Sequence, residues 1–116
     1  MNKVNVGIIG CGDIARKAYV PGVRKFEILN LLACADINEA AAQKLGDDLE
    51  IPRVCSVEEL LADQEIDLVL NLTVPQAHAT VNLKILDAGK HVYVEKPFAL
   101  SREEANAVLA KAAEKN

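Results

Sequence analysis

The chain has 116 residues, 51% hydrophobic and 26% charged, with 13 Lys+Arg against 17 Asp+Glu and a formal net charge of -4. That is one domain's worth of chain with enough apolar surface for a core, so a small disulfide scaffold is unnecessary, and no apolar run approaches the ~18 residues of a membrane span. With no Trp, two Phe and two Tyr, and with basic residues scattered, there is little to stack on bases, so small molecules rather than nucleic acid are the expected partners.

From the N-terminus, Lys3 followed by apolar residues up to Gly10 and Cys11 imitates a secretion signal. Asn5 breaks that run, and Asp13 and Arg16 bring charge too soon, so the segment reads as mature structure. Residues 4–9 form an apolar run that predicts a strand covered on both faces. A helix follows, and Pro21 should interrupt or kink it. Residues 28–35 predict a second strand and 53–55 a short third one. Ser56 with Glu59 makes a capping box at the start of a helix. Residues 68–72 predict a fourth strand, residues 76–88 a helix closed by Gly89, and residues 91–94 a fifth strand. Ser101 with Glu104 opens a last helix, whose Ala105, Val108, Leu109 and Ala112 form a stripe able to lie on a sheet.

Strand and helix alternating in this way predict an α/β fold: a doubly wound parallel sheet in the order 3-2-1-4-5, with helices on both faces. The topological switch then lies between the first and fourth strands, where ligands sit beyond the carboxyl ends. Three segments meet there: Gly10 to Gly12, Asn71 to His78, and Glu95 to Pro97.

The first segment, GIIGCGDIA, contains Gly10, Gly12 and Ala15 as GxGxxA between a strand and a helix. Gly10 permits the tight turn, Gly12 lets the backbone approach a pyrophosphate, and Ala15 lets the helix pack closely on the strand. The helix N-terminus, with Cys11, Asp13 and Ile14 around it, offers N–H donors and positive partial charge. Asp36 stands 21 residues beyond Ala15, at the end of the second strand. A carboxylate there accepts from ribose hydroxyls, and no Lys or Arg follows to hold a 2′-phosphate, so NAD is expected with NADP less favoured. The plain alternative is a tight turn with an ordinary capping aspartate. Cys11, Cys34 and Cys55 are odd in number with no CxxC spacing, which suggests neither a disulfide framework nor a zinc site. Buried thiols in a reducing cytoplasm are expected.

The segments GIIGCGDIA, NLTVPQAH and above all AGKHVYVEKPFALS resemble the N-terminal domain of the Gfo/Idh/MocA oxidoreductases, a resemblance that covers essentially all 116 residues. The resemblance implies an NAD(P)-binding Rossmann domain in which Lys96, within Glu95-Lys96-Pro97, meets the substrate hydroxyl or the nicotinamide edge. It also implies that Thr73, Pro75 and His78 form the cofactor-facing loop after the fourth strand. From the residues alone, Lys96 suits this task because an ammonium in a partly desolvated cleft polarises a C–OH or C=O during hydride transfer. A lone His opening a helix is otherwise a structural residue, and His78 is open to that reading too.

Relatives of this kind continue into a substrate domain that supplies the remaining acid or base. The expectation is therefore that residues 1–116 are the cofactor domain of an NAD-dependent dehydrogenase acting on a sugar, cyclitol or similar polyol, inactive alone. The competing expectation is a non-catalytic NAD-sensing or protein-interaction module, against which Lys96 argues, since a sensor has no use for that ammonium. The uncharged edge Val92, Tyr93 and Val94 suggests a homodimer.

Overall fold

The computed structural model describes residues 3–94, 106 and 109–113. Five parallel strands, β1 (Val4–Ile9), β2 (Leu29–Ala35), β3 (Arg53–Cys55), β4 (Leu68–Asn71) and β5 (His91–Val94), form one sheet in the order β3-β2-β1-β4-β5. Its doubly wound plan is the one that alternating strand and helix patterns dictate.

On one face, Val6, Ile8, Leu31, Cys34 and Leu70 pack beneath α1 (Val20–Arg24) and α2 (Glu39–Leu49), which contribute Val20, Val23, Ala42 and Leu45. On the other, Ile9, Ala33, Ala35 and Val69 meet Leu60 of α3 (Val57–Ala62) and Ile85 of α4 (His78–Asp87). Burial on both faces explains the unbroken apolar runs of the central strands.

One irregularity positions the site. Val6 pairs with Leu31 but Gly7 pairs with Ala33, so β2 carries one extra residue at Leu32. Leu32 and Ala33 consequently pack into the same core layer, and the alternation beyond them is reversed. The bulge brings Ala35 level with Ile9, which sets Asp36 beside the loop that follows β1.

The first helical stretch spans residues 13–24 and contains a wide π turn at Ala15–Tyr19, where the Val20 N–H reaches back to the Ala15 carbonyl. Pro21 lies in the first turn of α1, where its missing N–H costs least. The expected interruption thus takes the form of a widened turn just ahead of the proline. The Ser56–Glu59 capping box is present: Glu59 N–H donates to Ser56 Oγ at 3.0 Å, and Ser56 N–H donates to the Glu59 carboxylate at 2.9 Å.

At the other end of α3 the buried Lys90 Nζ donates to the carbonyls of Asp63 and Ile66, at 2.6 and 2.9 Å, and fastens the link into β4. Before α4 the chain makes a 3-10 turn, Pro75–Ala77, because Pro75 starts a tight turn; Gly89 ends α4 with φ 81°. Residues 109–113 are helical; Ala112 packs against the cluster of Ala79 and Leu86, whereas Leu109 is exposed. Ser101, Glu104, Ala105 and Val108 lie outside the described residues.

Candidate functional site

The carboxyl ends of β1 and β4 flank the switch point of this strand order, where a doubly wound sheet takes its ligand, and the loop after β1 forms one wall of the candidate site. Gly10 has φ 105°, and a Cβ there would stand 2.5 Å from the Leu72 carbonyl carbon and oxygen and 2.8 Å from the Thr73 nitrogen. Only glycine lets the β1 and β4 loops meet backbone to backbone in this way. Its N–H donates to the Ala35 carbonyl at 2.9 Å.

Gly12 is the opposite case. It is exposed, a Cβ there would meet nothing within 4 Å, and its carbonyl accepts the Arg16 N–H at 3.2 Å as the helix begins. The open floor at Gly12 and the first N–H groups of the following helix make a cradle that a pyrophosphate fits. Ala15 is fully buried against the sheet, while Asp13 and Ile14 are exposed at the helix start, with Asp13 4.0 Å from Lys17.

Asp36 ties the cradle to β2. Its Oδ2 accepts the Cys11 N–H and its Oδ1 the Asn38 N–H, both at 2.8 Å; Asn38 in turn caps α2 through the Ala41 N–H. Beside it Ile37 is 96% exposed, an apolar side chain presented to whatever occupies the end of β2. The Cys11 thiol points inward and donates to the Ala35 carbonyl at 3.3 Å. The neighbouring Cys34 thiol and burial both push its pKa up, so Cys11 is a protonated packing group here and not a nucleophile.

The opposite wall is a buried polar network. Asn71 Nδ2 donates to Asn82 Oδ1 at 2.8 Å and to the His78 carbonyl at 3.0 Å. Asn71 Oδ1 accepts the Thr73 hydroxyl at 2.6 Å and its N–H at 3.3 Å. His78, 1% exposed, places Nε2 2.7 Å from the Thr73 carbonyl, so that nitrogen carries the proton. Pro75 is exposed at the rim. The structure therefore brings Gly10, Cys11 and Asp36 together on one side, and Thr73 and His78 on the other, with Gly10 touching both. Glu95, Lys96 and Pro97 lie outside the described residues; the strand before them ends at Val94, level with Asn71. Asn71 and Asn82 are the members that sequence reasoning passed over. Their signal is faint: an asparagine ending an apolar strand, and another four residues after His78 on a buried helix face.

A parallel sheet of this order, with a glycine loop opening a helix at the switch point, defines a dinucleotide-binding domain of Rossmann type. Residues 4–116 match the model of the Gfo/Idh/MocA family, described as an oxidoreductase family with an NAD-binding Rossmann fold, and the chain belongs to that family. It is 37% identical over 104 residues to D-xylose 1-dehydrogenase (NADP(+)) 2 of Haloferax volcanii, covering 89% of this chain and 32% of that protein. It is 33% identical over 111 residues to 1,5-anhydro-D-fructose reductase of Ensifer adhaerens, with coverage of 93% and 32%. Among solved structures it superposes with a TM-score of 0.91, at 30% identity, on KijD10, a 3-ketoreductase from Actinomadura kijaniata in complex with TDP-benzene and NADP. The match covers 98% of this chain and 36% of that one. The chain thus spans about a third of the length of the relatives it matches.

These relatives correct one expectation, the preference for NAD over NADP. KijD10 holds NADP and the Haloferax enzyme is named for it. The geometry shows why Asp36 was an unsafe guide: both of its oxygens serve the backbone of adjoining loops, so the residue has a reason to be there whatever the ribose carries. Among the described residues no helix is long and apolar enough to cross a membrane, and no group of three or more His, Cys, Asp or Glu could hold a metal ion.

Proposed function

We propose that this chain is the NAD(P)-binding domain of an oxidoreductase that moves a hydride between a nicotinamide cofactor and a sugar, cyclitol or similar polyol. The observation that carries the reading is the open floor at Gly12, at a helix N-terminus in the loop that follows β1 at the sheet's switch point. Gly12, Asp13 and Ile14 would hold the pyrophosphate through backbone N–H groups and the helix dipole, while Gly10 and Cys11, whose N–H groups are taken by the Ala35 carbonyl and the Asp36 carboxylate, would shape the loop beneath it. Asp36, at the end of β2, would meet the adenosine ribose. Thr73, Pro75 and His78 would face the nicotinamide half, with Glu95, Lys96 and Pro97 closing the far side.

The nicotinamide ring, when bound, supplies or accepts the hydride. The chain's own contribution is positional and electrostatic: Lys96 would hold its ammonium against the substrate oxygen and stabilise the charge that develops there. Relatives named for xylose and for 1,5-anhydro-fructose support a sugar substrate. The remaining acid or base would come from a substrate domain in a longer protein. The free thiols of Cys11, Cys34 and Cys55 are in keeping with a cytoplasmic setting.

Calorimetric titration of this chain with NADH and NADPH tests the binding half; failure of both to bind would overturn it. Lys96→Ala in a full-length protein tests the catalytic half. Turnover should fall by orders of magnitude with cofactor affinity little changed, and near-normal turnover would remove Lys96 from the reaction.

We also propose a two-fold homodimer built on β5. Among the described residues β5 pairs with β4 alone, and Tyr93 on it is exposed, beside an apolar surface that includes Phe26 and Tyr19. Light scattering decides the state, and Tyr93→Lys should shift it to monomer; a monomer at high concentration without that change would end the idea.

A further inference from the structure

We infer that Asn82 is a positioning residue for the β4 side of the candidate site: acting through Asn71, it holds the Thr73 backbone against Gly10 and so sets the geometry offered to the nicotinamide half of a dinucleotide. The inference rests on the dinucleotide-binding reading above and deepens it.

Asn82 is fully buried in the middle of α4, one turn beyond His78. Its Oδ1 accepts one N–H of the Asn71 amide, and the His78 carbonyl accepts from the same nitrogen. Two acceptors on the nitrogen side fix which way that amide points. Asn71 Oδ1 is thereby turned toward the loop, where the hydroxyl and N–H of Thr73 both donate to it. Thr73 is in turn part of the wall that Gly10 abuts, its nitrogen lying 2.8 Å from where a Gly10 Cβ would be. Asn82, Asn71, Thr73 and Gly10 therefore form one continuous line of contact from the buried side of α4 to the glycine loop.

The fold alone gives little reason for an asparagine at this position. Asn82 Nδ2 is buried without a hydrogen-bond partner, which is a cost to stability, and alanine is a better helix former than asparagine. A buried polar group kept against both preferences calls for a role, and the one its geometry offers is orientation of the Asn71 amide. Because the β1–β3 half of such a sheet takes one mononucleotide and the β4 half the other, a slackened Thr73 would be felt more by the nicotinamide half than by the adenosine half, which meets Thr73 only through Gly10.

The test is the 116-residue chain and its Asn82→Ala variant, each titrated with ADP and with NADH or NADPH, alongside thermal melting. The expected result is that the dinucleotide binds about tenfold more weakly to the variant while ADP affinity stays within about twofold, with melting used to show that the variant is folded at the temperature of titration. Loss of a merely structural contact would weaken both ligands together. Should the alanine variant fail to fold, Asn82→Ser is read in the same way, since its hydroxyl is polar but too short to reach Asn71. Equal weakening of ADP and dinucleotide, or an unchanged dinucleotide affinity, overturns the role of Asn82 while leaving the dinucleotide-binding reading intact. Absence of binding by the unsubstituted chain overturns both.

Discussion

Asp36 and Cys11, 25 residues apart, are joined by a hydrogen bond of 2.8 Å in which the carboxylate accepts the backbone N–H of the glycine loop. The other carboxylate oxygen takes the Asn38 N–H, also at 2.8 Å. One side chain thus sets the spacing between the loop after β1 and the turn after β2, the two segments proposed above to meet the adenosine half of the cofactor. Asp36→Ala should release both N–H groups and weaken NAD(H) and NADP(H) alike, by about tenfold for a lost charge-assisted contact. Calorimetry with both cofactors measures this; affinities unchanged from the parent chain would show that the loop holds its shape without Asp36.

The two loop glycines should separate folding from binding. At Gly10 a methyl group would collide with the Leu72 carbonyl and the residue would keep a left-handed φ, so Gly10→Ala should cost more than about 2 kcal/mol of stability, read from urea unfolding. At Gly12 a side chain meets nothing. Gly12→Val should therefore unfold at nearly the parent urea concentration yet bind no dinucleotide, because the branched side chain fills the space a pyrophosphate would take. Equal unfolding midpoints for Gly10→Ala and the parent would contradict the close approach of the two loop backbones.

What the sequence made legible follows from the kind of signal each feature leaves. Strands buried on both faces announce themselves as apolar runs, and all five of those anticipated are present, with β2 starting at Leu29 and β4 ending at Asn71. The glycine spacing and Asp36 were visible because a turn and a strand end demand particular residues at fixed offsets. The bulge at Leu32 was not: its neighbours are apolar too, so a slip of one residue leaves the hydrophobic pattern unchanged. Nor was the Asn71–Asn82 pair, which depends on α4 folding back over β4 at one register. Asp36 illustrates a further limit. Its position is legible, but a carboxylate whose oxygens both bond to backbone N–H groups has a reason to stand there without any ribose, so its presence does not by itself say which cofactor binds.

Cys11 should behave as a buried thiol despite its place in the loop. It is 6% exposed, donates to the Ala35 carbonyl, and has its pKa raised by Cys34 and by burial, so almost no thiolate exists at neutral pH. Treating the folded chain with iodoacetamide near pH 8 and mapping peptides by mass should leave Cys11 unmodified until denaturant is added. Rapid native-state alkylation of Cys11 would mean that the loop opens far more often than its hydrogen bonds suggest.

Acid should loosen the region around α3 before the rest. The Ser56 N–H and hydroxyl hold the Glu59 carboxyl below its ordinary pKa, and the Glu65 N–H and then Arg53 do the same for Asp63. A carboxyl whose folded pKa is depressed adds stability that is complete above its unfolded pKa and disappears as pH falls through the folded value, so the loss should begin below about pH 4. Both carboxylates are solvent-accessible enough for salt to screen part of the effect. Glutamine can also close a capping box, so Glu59→Gln should melt near the parent temperature at pH 7 and lose less of its stability between about pH 4.5 and pH 3. Asp63→Asn keeps the acceptor for the Glu65 N–H but removes the charge facing Arg53, 2.5 Å away. It should flatten the same acid limb while lowering the plateau at neutral pH. Melting curves across that range, at low and high salt, are the measurement, and acid limbs identical in the parent and both variants would place the titrating groups elsewhere in the chain.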